Sequence, residues 1–199
     1  NWEMAGAAAL AGVQVRPVSA GEGRAVASAA DLERALRPRS PHAPLATLFC
    51  VENTHNGAGG MVTQLGELAA VRDVADAAGL PVHMDGARLW NAHVATGVAL
   101  AEFARAADSV MLSFSKGLGC PVGAILVADA ELVRRAHMVR KRLGGGMRQS
   151  GILAAAALYA LEYHLGRLAD DHATARRFAE LVAGAPGVHV VPPDTNIVM

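Results

Sequence analysis

Three polar groups stand where β-like runs of this 199-residue chain come to an end. Asp85 closes "PVHMD", Lys116 follows "SVMLSFS", and "ENTHN" (residues 52–56) follows "LATLFCV". In an open α/β sheet, ligands settle beyond the carboxyl ends of the strands, where the loops converge. Thirty residues separate Asp85 from Lys116, about the length of a strand, helix, strand crossover, so both side chains can reach one pocket from neighbouring strands. "SFSKGLGCPVGA" (residues 113–124) sets an amine among serines and glycines, between two apolar runs. A lysine buried there would lose ammonium solvation and become a neutral nucleophile, which is the form that attacks aldehydes. A nearby carboxylate complements it, because by holding a proton on a ring nitrogen it turns the ring into an electron sink.

The elements that must position these groups alternate short β-rich runs with longer helical patterns. That is the signature of an α/β domain with a mostly parallel sheet flanked by helices. "LATLFCVE" (residues 45–52) is a near-continuous apolar run, as expected for a strand buried on both faces. In "LGELAAVRDVADAAG" the residues Leu65, Leu68, Val71, Val74 and Ala75 recur at helical spacing, and Gly79 is placed to end the helix. "PVHMD", "SVMLSFS" and "VGAILVA" are predicted strands, with "RLWNAHVA" and "LAEFARA" as helical pieces between the first two. "SAGEGRAVASAADLERAL" reads as a loop leading into a short helix capped by Asp31. From Ala130 the pattern turns helical: "ELVRRAHMVRKRLGGG" ends in three glycines, and residues 150–184 form a long amphipathic stretch, two helices or one bent helix. "GVHVVPPDTNIVM" reads as two short strands around a proline turn. On this reading residues 1–185 form a large domain lacking its N-terminal part, and residues 186–199 begin a smaller one. The opening at Asn1 and the stop within "DTNIVM" both read as cut ends.

Composition narrows the partners. Eighteen basic residues balance 18 acidic ones, which leaves no net field to draw nucleic acid or an anionic membrane, so a small neutral molecule or a zwitterion is expected. Although 52% of the residues are hydrophobic, charges interrupt every run before the roughly 18 apolar residues a membrane span needs. Cys50 and Cys120 are the only cysteines and neither belongs to a C-x-x-C pair. A structural zinc site or a disulfide framework is not expected, no metal site is assigned, and a reducing, cytoplasmic compartment is the expected setting. "AGAAALAGVQV" lacks a charged region before it and is not read as a signal peptide.

"HMDGARLWNA" (residues 83–92), "SFSKGLGCPVGA" and "GGGMRQSG" (residues 144–151), with "VENTHN" upstream, resemble the low-specificity L-threonine aldolases, fold-type I pyridoxal-phosphate enzymes of the β-eliminating lyase group. Each block alone is short; four in order at compatible spacings are specific, and the likeness runs from about Glu3 to the last residues. The resemblance implies the large domain of a fold-type I transferase-like structure, truncated at both ends. It also implies that Lys116 forms the imine with pyridoxal 5'-phosphate. By the same resemblance Asp85 pairs with the pyridinium nitrogen, and Ser115 belongs to the cofactor site. Arg88 lies near the ring oxygen and the substrate carboxylate. His42, ten residues before Glu52, would sit near the substrate hydroxyl as a base or as the holder of a water. Lys141 and Arg148 match positions at the rim, where subunit contacts complete the pocket. The implied reaction is retro-aldol cleavage of L-threonine or L-allo-threonine, a β-hydroxy amino acid, to glycine and acetaldehyde, in a homo-oligomer built as a dimer of dimers. The phosphate loop, a ring-stacking histidine and a carboxylate-binding arginine are implied outside residues 1–199.

Each assignment has a plainer counterpart. Lys116 could be an exposed lysine in a Gly-rich turn, Asp85 a helix N-cap before "GARLWNA", Arg88 a solvated charge, and His42 a loop histidine beside Pro41. For His55 a turn-building role and a catalytic one stand side by side. His83 alternates to the face opposite Met84 and is expected to be satisfied within the scaffold. Cys120 has no assigned base and reads as a packing residue. "GGGMRQSG" lacks the P-loop pattern and follows a helix rather than a strand, so it reads as a loop of close backbone approach near the active site, with Arg148 as its polar contributor. Two other functional readings remain: a related fold-type I amino-acid lyase or racemase, and a catalytically incomplete or silent piece serving folding or subunit contact.

Overall fold

A computed structural model describes residues 3–21, 23–38 and 40–199. Its centre is a four-stranded sheet: β1 (Phe49–Glu52), β2 (Val82–Asp85), β3 (Ser109–Ser113) and β4 (Ala124–Ala128), in that spatial order. The first three strands run parallel and β4 runs antiparallel to β3, which agrees with the mostly parallel α/β sheet expected from the sequence. β3 is buried at Ser109, Val110, Leu112 and Ser113, so it occupies the sheet interior; in β2 Val82 and Met84 turn inward and His83 and Asp85 alternate away from them.

Between β1 and β2 the chain makes α3 (Leu65–Ala77), which buries Leu68, Val71, Val74 and Ala75 and leaves Leu65 of its first turn exposed. Gln64 and Glu67 form a capping box at its start, and Gly79, at φ +65°, follows its end in the left-handed conformation a side chain would disfavour. Arg72 of α3 binds Asp108 and the Leu80 carbonyl, while Asp108 also accepts from the backbone N–H of Val82 at 2.7 Å, so one carboxylate ties the starts of β2 and β3 to the helix. The Val82 N–H and then the Arg72 guanidinium hold that carboxyl below the ordinary aspartate range. α4 (Leu89–Thr96) and α5 (Leu100–Ala104) connect β2 to β3. Trp90 of α4 buries its ring 5.9 Å from Phe114 and donates Nε1–H to the Ser113 carbonyl.

The remaining helices are α1 (Gly6–Ala11), α2 (Ala29–Ala35), α6 (Ala130–Arg142), α7 (Gly151–Tyr163) and α8 (Leu168–Val182). The long amphipathic stretch is thus two helices. α8 packs against α4 and buries Leu168, His172, Ala175 and Ala179. α7 buries only Ala160, with Ile152 84% and Leu158 69% exposed, and β4 exposes Ile125, Leu126 and Val127.

Three expectations are corrected. β1 begins at Phe49 instead of Leu45, because its partner β2 begins at Val82; the last bond available there runs from the Phe49 N–H to the Pro81 carbonyl, and Leu45 and Leu48 are exposed. The cap of α2 is Ser28, whose Oγ accepts the Asp31 N–H; Asp31 is the reciprocal member of the box, three residues into the turn. The final segment forms no strands. Pro192 and Pro193 bring no N–H to a ladder, and the segment is held by side chains instead: Asp194 accepts from Val62 N–H, Thr195 donates to the Gly60 carbonyl, and Asn196 accepts from Asn91.

Candidate active site

Because β1, β2 and β3 are parallel, their carboxyl ends share one side of the sheet. In register, Glu52 of β1 lies opposite Asp85 of β2, and the bond from Asn53 N–H to the Asp85 carbonyl extends that ladder by one residue. The chain then leaves β2 through Gly86, whose N–H bonds to the Met111 carbonyl of β3 at 2.8 Å. A Cβ at position 86 would stand 2.7 Å from that carbonyl oxygen, so glycine is what lets the backbone turn this close to β3. Asp85 Oδ1 accepts the Ala87 N–H at 3.0 Å, which fixes the carboxylate at the turn. The N-cap position of α4 belongs to Arg88, so Asp85 is a turn acceptor and not the cap.

Arg88 is largely covered, with its Nη1 4.0 Å from Glu52 Oε1. The same Oε1 accepts the Asn56 N–H at 2.9 Å, and Oε2 faces His55 Nε2 at 3.8 Å. His55 Nδ1 accepts the Ala58 N–H at 3.0 Å, so this histidine does build the turn after β1. His83 is satisfied by Ser109 Oγ at 2.8 Å, and burial pushes its ring below the ordinary value, opposed in part by Asp85. Cys120 is buried, with Sγ 3.6 Å from the Ala156 carbonyl, a packing position as expected.

Lys116 follows the carboxyl end of β3, beside the Asp85 end of β2. Its turn is closed by bonds from Gly119 N–H to the Lys116 carbonyl and from Cys120 N–H to the Phe114 carbonyl. Phe114, Leu118 and Cys120 take the interior side of this turn, whereas Ser115, Lys116 and Gly117 are exposed. The burial expected for the lysine is therefore corrected: the small residues beside it face outward and leave the amine open. Ser115 Oγ stands 3.4 Å from Ser113 Oγ. A Cβ on Gly117 would meet Leu168 Cδ2 at 2.8 Å, so the turn rests directly on the start of α8.

The fold thus brings Asp85, Arg88, Ser115 and Lys116 to one edge of the sheet, with Glu52 and His55 beside them. It does not bring His42, Lys141 or Arg148 into that cluster. His42 is exposed in a turn, its backbone N–H bonded to Ser40 Oγ, while Lys141 and Arg148 are exposed at and after the end of α6. Among the described residues no hydrogen bond or ion pair joins these three side chains to the cluster. Lys141 lies over the glycine loop, where a Cβ on Gly146 would collide with its side chain. Glu52 is the member that sequence reasoning left without a role. The signal was its place at the end of a strand, directly opposite Asp85 in register, which only the pairing reveals.

Comparison with known proteins gives the family context. The model of the beta-eliminating lyase family matches residues 1–199. The low-specificity L-threonine aldolase of Escherichia coli (strain K12) is 40% identical over 199 residues, covering 98% of this chain and 57% of that protein. Low-specificity L-threonine aldolase 1 of Arabidopsis thaliana is 43% identical over 157 residues, covering 78% of this chain and 44% of that protein. Among solved structures, a Listeria monocytogenes EGD-E protein provisionally designated an L-allo-threonine aldolase superposes with a TM-score of 0.84 at 26% identity, covering 99% of this chain and 53% of that one. The chain spans about half the length of the relatives it matches.

Proposed function

This chain belongs to the beta-eliminating lyase family, and we propose that it is the cofactor-binding core of a pyridoxal 5'-phosphate-dependent lyase that cleaves L-threonine or L-allo-threonine to glycine and acetaldehyde. The observation that carries the reading is the convergence of a lysine amine, a carboxylate and a guanidinium on the carboxyl ends of neighbouring parallel strands. Those groups fit the cofactor. Lys116 offers an open amine to an aldehyde, Asp85 an anion held in place by the Ala87 N–H, and Arg88 a cation near the strand end. When bound, the cofactor supplies an aldehyde that captures amines and an electron-poor ring that accepts the charge left at Cα when the bond to Cβ breaks.

The chain's own residues supply the rest. Asp85 would hold a proton at the ring nitrogen, and Lys116 would be the amine that holds the cofactor. Arg88 lies near the ring oxygen and the substrate carboxylate, and Ser115 borders the cofactor beside Lys116. His42 takes the proton from the substrate hydroxyl. Since His42 is exposed and makes no hydrogen bond or ion pair with the cluster among the described residues, that role requires further structure to bring it to the substrate. Lys141 and Arg148 stand at the rim, and a second subunit of a homo-oligomer would bring them to the pocket. Residues 1–185 form the cofactor domain in this reading and residues 186–199 lead into a smaller one, meeting it through the bonds of Asp194 and Thr195.

Lys116 and Lys141 are the only lysines in the sequence, so a labelling test within this chain has few outcomes. The protein carrying this chain is loaded with pyridoxal phosphate, reduced with borohydride, and mapped. The label is expected on Lys116, and Lys116→Ala should lose both the visible band and threonine cleavage. A label on Lys141, or a band retained in Lys116→Ala, refutes the assignment.

A further inference from the structure

Glu52 has no part in the assignments above, yet its carboxylate accepts a backbone N–H and faces both a guanidinium and an imidazole. Oε1 accepts the Asn56 N–H at 2.9 Å and stands 4.0 Å from Arg88 Nη1; Oε2 faces His55 Nε2 at 3.8 Å. The orientation of His55 is not arbitrary. Ala58 donates its N–H to Nδ1, so the proton of the neutral ring sits on Nε2, the side turned to Glu52. At 4.0 Å the link to Arg88 is a charge contact and not a hydrogen bond. The Arg88 and Glu52 side chains are 20% and 31% exposed, so this contact is screened less than one on the open surface. No other carboxylate forms an ion pair with Arg88 among the described residues. Asp85, across the ladder from Glu52, spends one oxygen on the Ala87 N–H.

We propose that Glu52 is a positioning residue of the site: it holds the Arg88 guanidinium over the end of β2 and offsets part of its charge, and so sets how strongly Arg88 acts on a bound anion. The proposal rests on the assignment of Lys116 and Arg88 to a pyridoxal-phosphate site. A plainer role, acceptor for the turn at residues 53–58, would depend only on the bond to Asn56. Glu52→Gln separates the two, because the amide oxygen can keep that bond while the charge is lost.

The test uses the cofactor-loaded protein and follows its visible band as a function of pH. With Glu52 neutral, Arg88 is left uncompensated and protons in the pocket leave more easily. The midpoint should move to lower pH by roughly half to one unit, the size expected for a unit charge removed several ångström away in a partly wetted site. Glu52→Asp, which keeps the charge but draws it back from Arg88, should move the midpoint the same way and by less. It also serves if the glutamine variant folds poorly. In an Arg88→Gln background the Glu52→Gln shift should shrink, because the part that acts through Arg88 is gone. An unchanged midpoint in a folded Glu52→Gln variant overturns the proposal, as does a shift of full size without Arg88. If the unsubstituted protein shows no band linked to Lys116, the cofactor assignment itself has failed and this inference falls with it, an outcome visible before any Glu52 variant is made.

Discussion

His172 is 2% exposed, and its surroundings favour the neutral ring. Asn91 Nδ2 donates both to His172 Nε2, at 3.0 Å, and to Asn196 Oδ1, at 3.3 Å, so a proton added to Nε2 would face a donor. Burial, with the charge of Arg176 as a smaller cause, pushes the ring below its ordinary value of 6.5, and Asp171 opposes this only in part. His83 is shifted the same way. An unfolded chain takes up these protons near the ordinary value while the folded one resists, so the stabilisation is present above about pH 6.5 and is lost as the pH falls toward the folded-state value. Melting temperature should therefore drop between about pH 7 and pH 5, and His172→Gln, which keeps a hydrogen-bonding group without titrating, should flatten that slope even if it melts earlier at neutral pH. An equal slope in the variant would show that other groups carry the effect. At this scale Asp85 and Lys116 were legible because strand ends can be read from apolar runs. The exposure of Lys116 was not, since which side of its turn is interior depends on Leu168, some fifty residues further on. Glu52 escaped because its meaning lies in register.

Among the elements, the passage from β2 to α4 has the least room. Gly86→Ala would place a methyl group 2.7 Å from the Met111 carbonyl and 3.0 Å from Val110 Cγ1. Neither backbone nor buried side chain can yield easily, so a loss of about 1–3 kcal/mol is expected in urea unfolding, the usual cost of overpacking. Asp85 and Arg88 flank this residue, so cofactor affinity should fall as well. A variant with unchanged unfolding midpoint and affinity would mean that β3 can move aside. The helices were well read from periodicity because α3 and α8 each bury one stripe, and Gly79 ends α3 where its type suggested. Residue type alone did not separate the two members of the α2 capping box, since Ser28 and Asp31 are both competent caps three positions apart. The prolines at 192 and 193 had more influence on the last segment than its β-branched residues did.

For the molecule as a whole, apolar surface is distributed unevenly: β4 exposes Ile125, Leu126 and Val127, and α7 exposes Ile152, Leu158, Tyr159 and Tyr163. No helix among the described residues is long and apolar enough to cross a membrane. With 18 charges of each sign there is little net repulsion to keep copies of the 199-residue chain apart. Sedimentation of that chain should show concentration-dependent association, reduced by Ile152→Glu together with Leu158→Glu; a monodisperse monomer would contradict this. The α/β layout was legible from the sequence, but the lack of cover on β4 was not, because an apolar run announces a strand without saying what lies against it. The tie from Asp194 to Val62 spans 132 residues. During synthesis the loop after β1 emerges long before its clasp, and at about 5–20 residues per second the wait is roughly 7–26 s. The strand ends that carry Asp85 and Lys116 can form in that interval, whereas the 60–62 loop gains its bonds to Asp194 and Thr195 only when those residues arrive. Assembly of this edge therefore proceeds in two stages, with the ribosome's pace as the clock between them.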